Sequence, residues 1–291
     1  YSDKDIDAIV SFDQMYEGIK DVLQSNIQSD ILQADRSIDS ELAKSVLRAL
    51  FLVKYVKGFT ATTSNIAILL LPNFDVNLSE FHRQVQEALN LLENQTYIQR
   101  SSVDVYEYLT NQEKDVENEI KNTEIEPTAP GTLLSGYLFD EILRDSKVKL
   151  DSNNQPYEFG KKIDDNLVHR EKEFYVNFIT PLKSDGVSAD NIVMWSSGRP
   201  HDLIVYLPEY KRLYEELRLI VKTEKYIQTT NSPAIDSTKR HILNERSQQN
   251  IERKRTIISQ LKECIGDAKM YLNGTELNEI TTKEPKTKIT L

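Results

Sequence analysis

Cysteine is almost missing: Cys264 is the only one among 291 residues. A single thiol makes no internal disulfide and no cysteine metal cage, so a reducing compartment is expected. Glycine and proline are scarce, at nine each, which fits helix-rich structure with short loops. No apolar run approaches the ~20 residues of a membrane span, so no membrane role is expected. There is no Gly-x-x-x-x-Gly-Lys-Ser/Thr and no Gly-x-Gly-x-x-Gly, so no nucleotide site is expected, and ATP should be neither bound nor hydrolysed. His82, His169, His201 and His241 lie far apart, with no His-x-x-x-His pair. That leaves no zinc site, and no cofactor is expected. The chain starts at Tyr1 with no Met and no secretion signal, so it is expected to be a piece of a longer, cytoplasmic protein. The Asn-x-Ser/Thr triplets at Asn77, Asn94 and Asn273 are then chance matches.

What is present is a charged, core-forming chain. Hydrophobic residues make up 39% and charged residues 28%, with a formal net charge of −10. The apolar content suffices for packed cores, and the length suggests about two domains. The acidic balance argues against non-specific coating of nucleic acid or anionic membranes, which needs a positive field.

Residues 1–36 read as acidic helices with a solvated face. Asp3, Asp5, Asp7, Asp13, Glu17, Asp21, Asp30 and Asp35 stand against Lys4, Lys20 and Arg36. Ile6, Ile9, Val10, Met15, Ile19, Val22 and Leu23 supply a rough helical stripe. Residues 37–122 carry the order of a winged helix: three helices, then a hairpin. The first helix spans 39–57, capped by Asp39 or Ser40, striped by Leu42, Val46, Leu50, Val53 and Val56, and ended by Gly58. The second runs from Ser64 to Leu71, before Pro72. The third follows Ser79 as far as Asn94, with Phe81, Val85, Ala88, Leu89 and Leu92 inward. Tyr97–Arg100 and Val103–Leu109 alternate around Ser101-Ser102 as a two-stranded wing. Thr110–Lys121 is a helix with Thr110 and Glu113 as a capping box. Leu50 and Leu89 should share one core.

Residues 123–208 read as a small α+β domain with an antiparallel sheet. A linker at 122–135 holds Pro127, Pro130 and Gly131, and Leu133–Leu143 is a short helix. Strands are expected at Val148–Leu150, Tyr157–Phe159, Phe174–Ile179, Ile192–Trp195 and Leu203–Leu207. Turns are expected at Asn153-Asn154, Asp185-Gly186 and Gly198-Arg199-Pro200. Residues 209–272 read as a helical hairpin or coiled coil: a helix over 209–228, then one from Ser232-Pro233 to Leu272, roughly 60 Å long, ended by Gly274. Residues 273–291 read as the tail of a following domain with no core of its own. The expected class is thus α+β and helix-rich.

Candidate chemistry is thin. Asp164-Asp165 beside His169 and Arg170 is the only conceivable acid–base group, and neighbouring carboxylates in a polar loop rarely mark a pocket. Ser196-Ser197-Gly198-Arg199 lacks the Gly-x-Ser-x-Gly elbow and reads as a hairpin turn. Trp195 reads as sheet packing or an interface anchor. For anion contact the candidates are Arg83 on the third helix, Arg100 on the wing, and Arg253, Lys254 and Arg255 in the one net-basic stretch. That stretch, 239–269, holds eight Lys or Arg against four Asp or Glu. Consecutive helical positions point about 100° apart, so the last three form no single stripe. The third helix carries Glu80, Glu87 and Glu93 against Arg83, and the wing Asp104 and Glu107 against Arg100. Phosphate contact needs the opposite balance.

Several strings resemble a known family. Leu50-Phe51-Leu52-Val53-Lys54-Tyr55-Val56, and the run from Tyr108-Leu109-Thr110-Asn111-Gln112-Glu113 to Ile120, resemble a winged-helix segment of BrxC, the large P-loop ATPase of BREX bacteriophage-exclusion systems. Leu203–Glu209, Leu217–Ile227 and Tyr271-Leu272-Asn273-Gly274 are similar to the same family. The resemblance covers most of the chain, in order. It implies a cytoplasmic bacterial defence protein whose ATPase core lies N-terminal to Tyr1. No Walker-type residue of the family has a counterpart here. The expectation is a non-catalytic fragment that associates with itself or with other subunits of a defence complex. DNA binding would be weak, and an unrecognised enzyme at Asp164–Arg170 is the other alternative.

Overall fold

In the computed structural model, residues 10–23, 25–102, 104–149, 155–181, 187–188, 190–210, 212–230, 232, 235–278, 280 and 282–290 are described. They form two units: residues 1–123 with 226–249, and 124–225 with 250–291. Ile6, Ile9, Val103, Leu150, Asn153-Asn154, Asp185-Gly186 and Pro233, together with Asp3, Asp5 and Asp7, lie outside the described residues.

The first unit follows its local signals closely. After short turns come α1 (Met15–Ile19) and α2 (Ser25–Ser37). Here Met15 and Val22 are exposed rather than inward, and Tyr16 is buried instead. The acidic face is also less solvated than the composition suggests, because Asp35 pairs with Arg48 at 2.8 Å and Asp13 is buried. In α3 (Glu41–Val53) the Ser40 hydroxyl accepts the Ala43 N–H, as an N-cap should. Helix α4 (Thr63–Leu69) is capped by Thr62, and α5 (Leu78–Asn94) by Asn77. Strands β1 (Ile98–Ser102) and β2 (Val105–Tyr108) pair antiparallel. Leu50 and Leu89 lie in one buried cluster with Val46, Val85 and Ile98. Helix α6 (Asn111–Asn122) begins with the reciprocal Thr110–Glu113 capping box.

The second unit departs from the sequence reading. Pro130 and Gly131 are no linker. They sit in α7 (Ala129–Gly136), with the proline in the first turn, where its missing N–H costs nothing. A π-helical stretch, Tyr137–Leu143, continues it. The sheet holds β3 (Lys147–Lys149), β4 (Pro156–Ile163), β5 (Asn166–Leu167), β6 (Phe174–Ile179), β7 (Asp202–Tyr206), β8 (Lys269–Leu272) and β9 (Thr275–Glu276). Six strands run in the order β3-β4-β6-β7-β8-β9, and β5 pairs with β4.

The sheet is mixed, not antiparallel. Strand β6 pairs parallel with both β4 and β7. A parallel pair needs a long crossover, and that between β6 and β7 contains α8 (Ile192–Ser197). The strand expected at Ile192–Trp195 is therefore a helix, with Ile192 and Ser196, four residues apart, on its buried side. Gly198-Arg199-Pro200 joins helix to strand rather than turning a hairpin. One sheet face holds the main core around Phe159, Phe178, Val205 and Met270. The other packs Ile179, Ile204 and Tyr271 with Ile192 and Trp195 of α8.

Two tight turns close hairpins in this sheet. Asp164 and Asp165 (φ 50° and 69°) link β4 to β5, and Asn273 and Gly274 (φ 46° and 78°) link β8 to β9. Positive φ at both central residues is what a type I′ hairpin turn requires. The long helix α10 (Ser237–Asp267) accordingly stops before β8, short of Leu272. Its first turn is held by Asp236, whose carboxylate accepts the Lys239 N–H at 2.9 Å, and the helix starts at Ser237. The described residues after Leu272 reach the core of this unit. β9 joins the sheet, and in α11 (Pro285–Thr290) Ile289 is buried while Lys288 Nζ donates to the carbonyls of Gly266 (2.6 Å) and Ala268 (2.7 Å). The ammonium thus meets orphan acceptors at the C-terminal end of α10.

Gly274 is the position where substitution should matter most locally. An added Cβ would collide with the Ser197 hydroxyl, and the φ of +78° is left-handed. Gly274→Ala is expected to cost the second unit about 1–3 kcal/mol, measured as a lower urea midpoint with an unchanged slope.

Candidate interaction surfaces

Each candidate cation meets a carboxylate of its own chain. Arg83 on α5 donates through Nε to Glu80 at 3.0 Å and also binds Glu87. Its hydrogen bond holds Glu80 below the usual glutamate value. Arg100 on β1 lies 3.4 Å from Glu93 and donates to the Tyr106 hydroxyl at 2.9 Å. Arg253 on α10 is 3.1 Å from Glu216 of α9 (Leu213–Thr230), Lys254 pairs with Glu224, and Arg255 pairs with Glu252 at 2.5 Å. Helix α10 has few apolar residues because some of its buried positions are polar: Asn250 donates to the Ile220 carbonyl at 3.2 Å, and Arg246 faces Glu117 at 3.7 Å.

Exposed apolar side chains gather at the α4–α5 turn. The Ser64 hydroxyl is 3.1 Å from His82 Nε2. One helical turn further along α4, and one turn back along α5, stand Ile68 and Leu78, with Phe74 in the loop between them. All three are exposed, Phe74 at 86%.

A groove of about 620 Å³ lies elsewhere in the first unit, lined by Phe51, Lys54, Tyr55, Tyr108, Ile242 and Glu245 among others. At its base Lys54 Nζ lies 2.6 Å from Glu113 Oε2 and 2.7 Å from the Tyr108 carbonyl. The same Glu113 oxygen accepts the Thr110 N–H. This pair went unseen in the sequence. The capping box foretold Glu113, but no local signal points to a lysine 59 residues away.

His169 and Arg170 are exposed. The Asp164 carboxylate accepts the Thr180 N–H (2.8 Å) and hydroxyl (2.7 Å). Asp165 takes a forked bond from Arg199, at 3.0 and 2.6 Å, and another from Asn177 at 2.8 Å. Asn177 also donates to buried Asp202 (3.1 Å), which Lys162 meets at 2.9 Å. The Arg199 guanidinium lies 3.6 Å from the Trp195 ring centroid, so Trp195 packs between the sheet and this network, which ties the end of α8 to the β4–β5 turn. Burial, with Asp267 and Glu263 nearby, pushes the Cys264 thiol up, away from the reactive thiolate. Among the described residues no group of three or more His, Cys, Asp or Glu is placed to hold a metal ion. Nor, among those residues, is any helix long and apolar enough to cross a membrane.

The sheet-bearing unit defines the class: a helix-rich α+β domain with a mixed sheet whose main strand path has six members. Residues 123–291 match the family model described as the BREX ATP-binding protein BrxC 4th domain with six-stranded beta sheet. The match starts one residue before the second unit and spans more than half of the sequence, so the chain belongs to the BrxC family, a component of a phage-defence system. No solved structure matches it.

Proposed function

We propose that this chain is a non-catalytic assembly region of a cytoplasmic BREX phage-defence ATPase, one that positions subunits or partners. Residues 37–122 act as a winged helix used for protein contact, and α9 with α10 act as a helical hairpin. The observation that carries this reading is electrostatic. Arg83, Arg100, Arg253, Lys254 and Arg255 each face a carboxylate of the same chain. A DNA-binding face would instead leave cations to displace the counterions of phosphate. The exposed Ile68, Phe74 and Leu78 support association through protein contact in its place.

The test is a titration of labelled duplex DNA at ~50 and ~200 mM salt, beside sedimentation of the chain with its defence-complex subunits. Expected are a Kd no tighter than ~10 μM at physiological salt and subunit association that Phe74→Ser with Leu78→Ser abolishes. Sub-micromolar duplex binding with a steep salt slope, lost on reversing Arg253, Lys254 and Arg255, would make α10 a DNA-binding element. The same loss on reversing Arg83 and Arg100 would place the DNA on the winged helix.

A further inference from the structure

The groove of the first unit shares no residue with the α4–α5 patch. Its floor is apolar and aromatic: Phe51 and Tyr108 meet edge to face at 5.4 Å, and Ile242 is buried beside them. Tyr55 stands on the rim, 78% exposed. Three carboxylates line the walls, Glu107, Glu113 and Glu245, against the ammonium of Lys54, and Lys114 Nζ lies 5.9 Å from the Tyr108 ring centroid. Lys54 is spent on Glu113 and on the Tyr108 carbonyl. His241 lies 3.2 Å from Glu245, and both are exposed. The start of α6, which would otherwise attract an anion, already holds the Glu113 carboxylate. Tyr55 feels the same field: its phenol is held above the ordinary value by desolvation first, then by Glu113, Glu245 and Glu107.

A volume of about 620 Å³ falls in the ~300–1,000 Å³ range of small-ligand pockets, enough for one long side chain and its apolar neighbours. Aromatic faces beside excess negative charge favour a cation with an apolar stem. We infer that this groove receives an arginine side chain, flanked by apolar residues, from a partner protein. The guanidinium lies between Tyr55 and Glu245 and its stem lies on Phe51, Tyr108 and Ile242. This goes beyond the assembly reading, since the groove and the α4–α5 patch are separate surfaces.

The experiment is calorimetric titration of the whole chain with acetyl-Leu-Arg-Leu-amide, with its citrulline counterpart, which has the same shape without the charge, and with acetyl-Leu-Glu-Leu-amide. The arginine peptide should bind about tenfold more tightly than the citrulline peptide. Glu245→Gln and Tyr55→Ala, both exposed and outside the core, should each erase most of that difference. Equal binding of the arginine and citrulline peptides, no binding of either, tighter binding of the glutamate peptide, or indifference to both substitutions would each overturn the inference. Subunit association lost only with Phe74 and Leu78 would still support the assembly reading in any of those cases.

Discussion

Leu89→Ala is expected to destabilise the first unit by about 2–5 kcal/mol, and Leu50→Ala by a similar amount. Both side chains are fully enclosed, at 0% and 1% exposed, in the cluster that joins α3, α4, α5 and the β1–β2 pair. Deleting either removes buried methyl groups and leaves a cavity that rigid helix packing fills only in part. The readout is urea unfolding followed by signals from that unit, with the midpoint lowered and the slope kept. Because the two leucines share one core, the double variant should lose less than the sum of the single losses or more, but not the sum itself. Melting like the wild type in either single variant would mean that this core is not built as described.

Lys54→Met should cost about 3–5 kcal/mol, because it strands the Glu113 carboxylate without its cation. The pair is well enclosed, with side chains 6% and 12% exposed. Burial works to raise Glu113, but the hydrogen bond and charge of Lys54 and the bonds at Thr110 outweigh it and hold the carboxyl below the ordinary 4.5. A depressed folded-state value means stability that is fully present above pH 4.5 and is lost as pH falls through the folded value. In Lys54→Met the main depressing cause is gone, so the loss of stability below pH 4.5 should shrink. Adding Glu113→Gln keeps the capping box but removes the stranded charge, and should restore more than half of the loss. Unfolding free energies measured between about pH 3 and pH 7 would test both points. An unchanged acid slope in Lys54→Met would refute the assignment.

The local features of the fold were written in local residues. Ser40, Thr62 and the Thr110–Glu113 box cap their helices within a turn of where they stand. The stripes through α3 and α5 repeat at helical spacing, so their buried residues followed from the chain order alone. Asn273-Gly274 is also a hairpin signal, but with so sparse an apolar pattern before it Gly274 read as the end of a helix reaching Leu272. Ile192-Val193 read as strand because β-branched residues favour one. What made the segment a helix was the parallel pairing of β6 with β7, a long-range fact.

The candidate surfaces divide the same way. The acidic character of α5 and the β1–β2 pair is composition, and the sequence by itself determined it, along with helices α3 to α6, their caps and the first core. Whether Arg253 and Lys254 point at solvent or at α9, whether Lys54 meets Glu113, and whether Asp165 meets Arg199 were decided only by the tertiary structure. These partners lie tens of residues apart. Periodicity reports the face a residue occupies, but not the charge that a distant segment brings against that face.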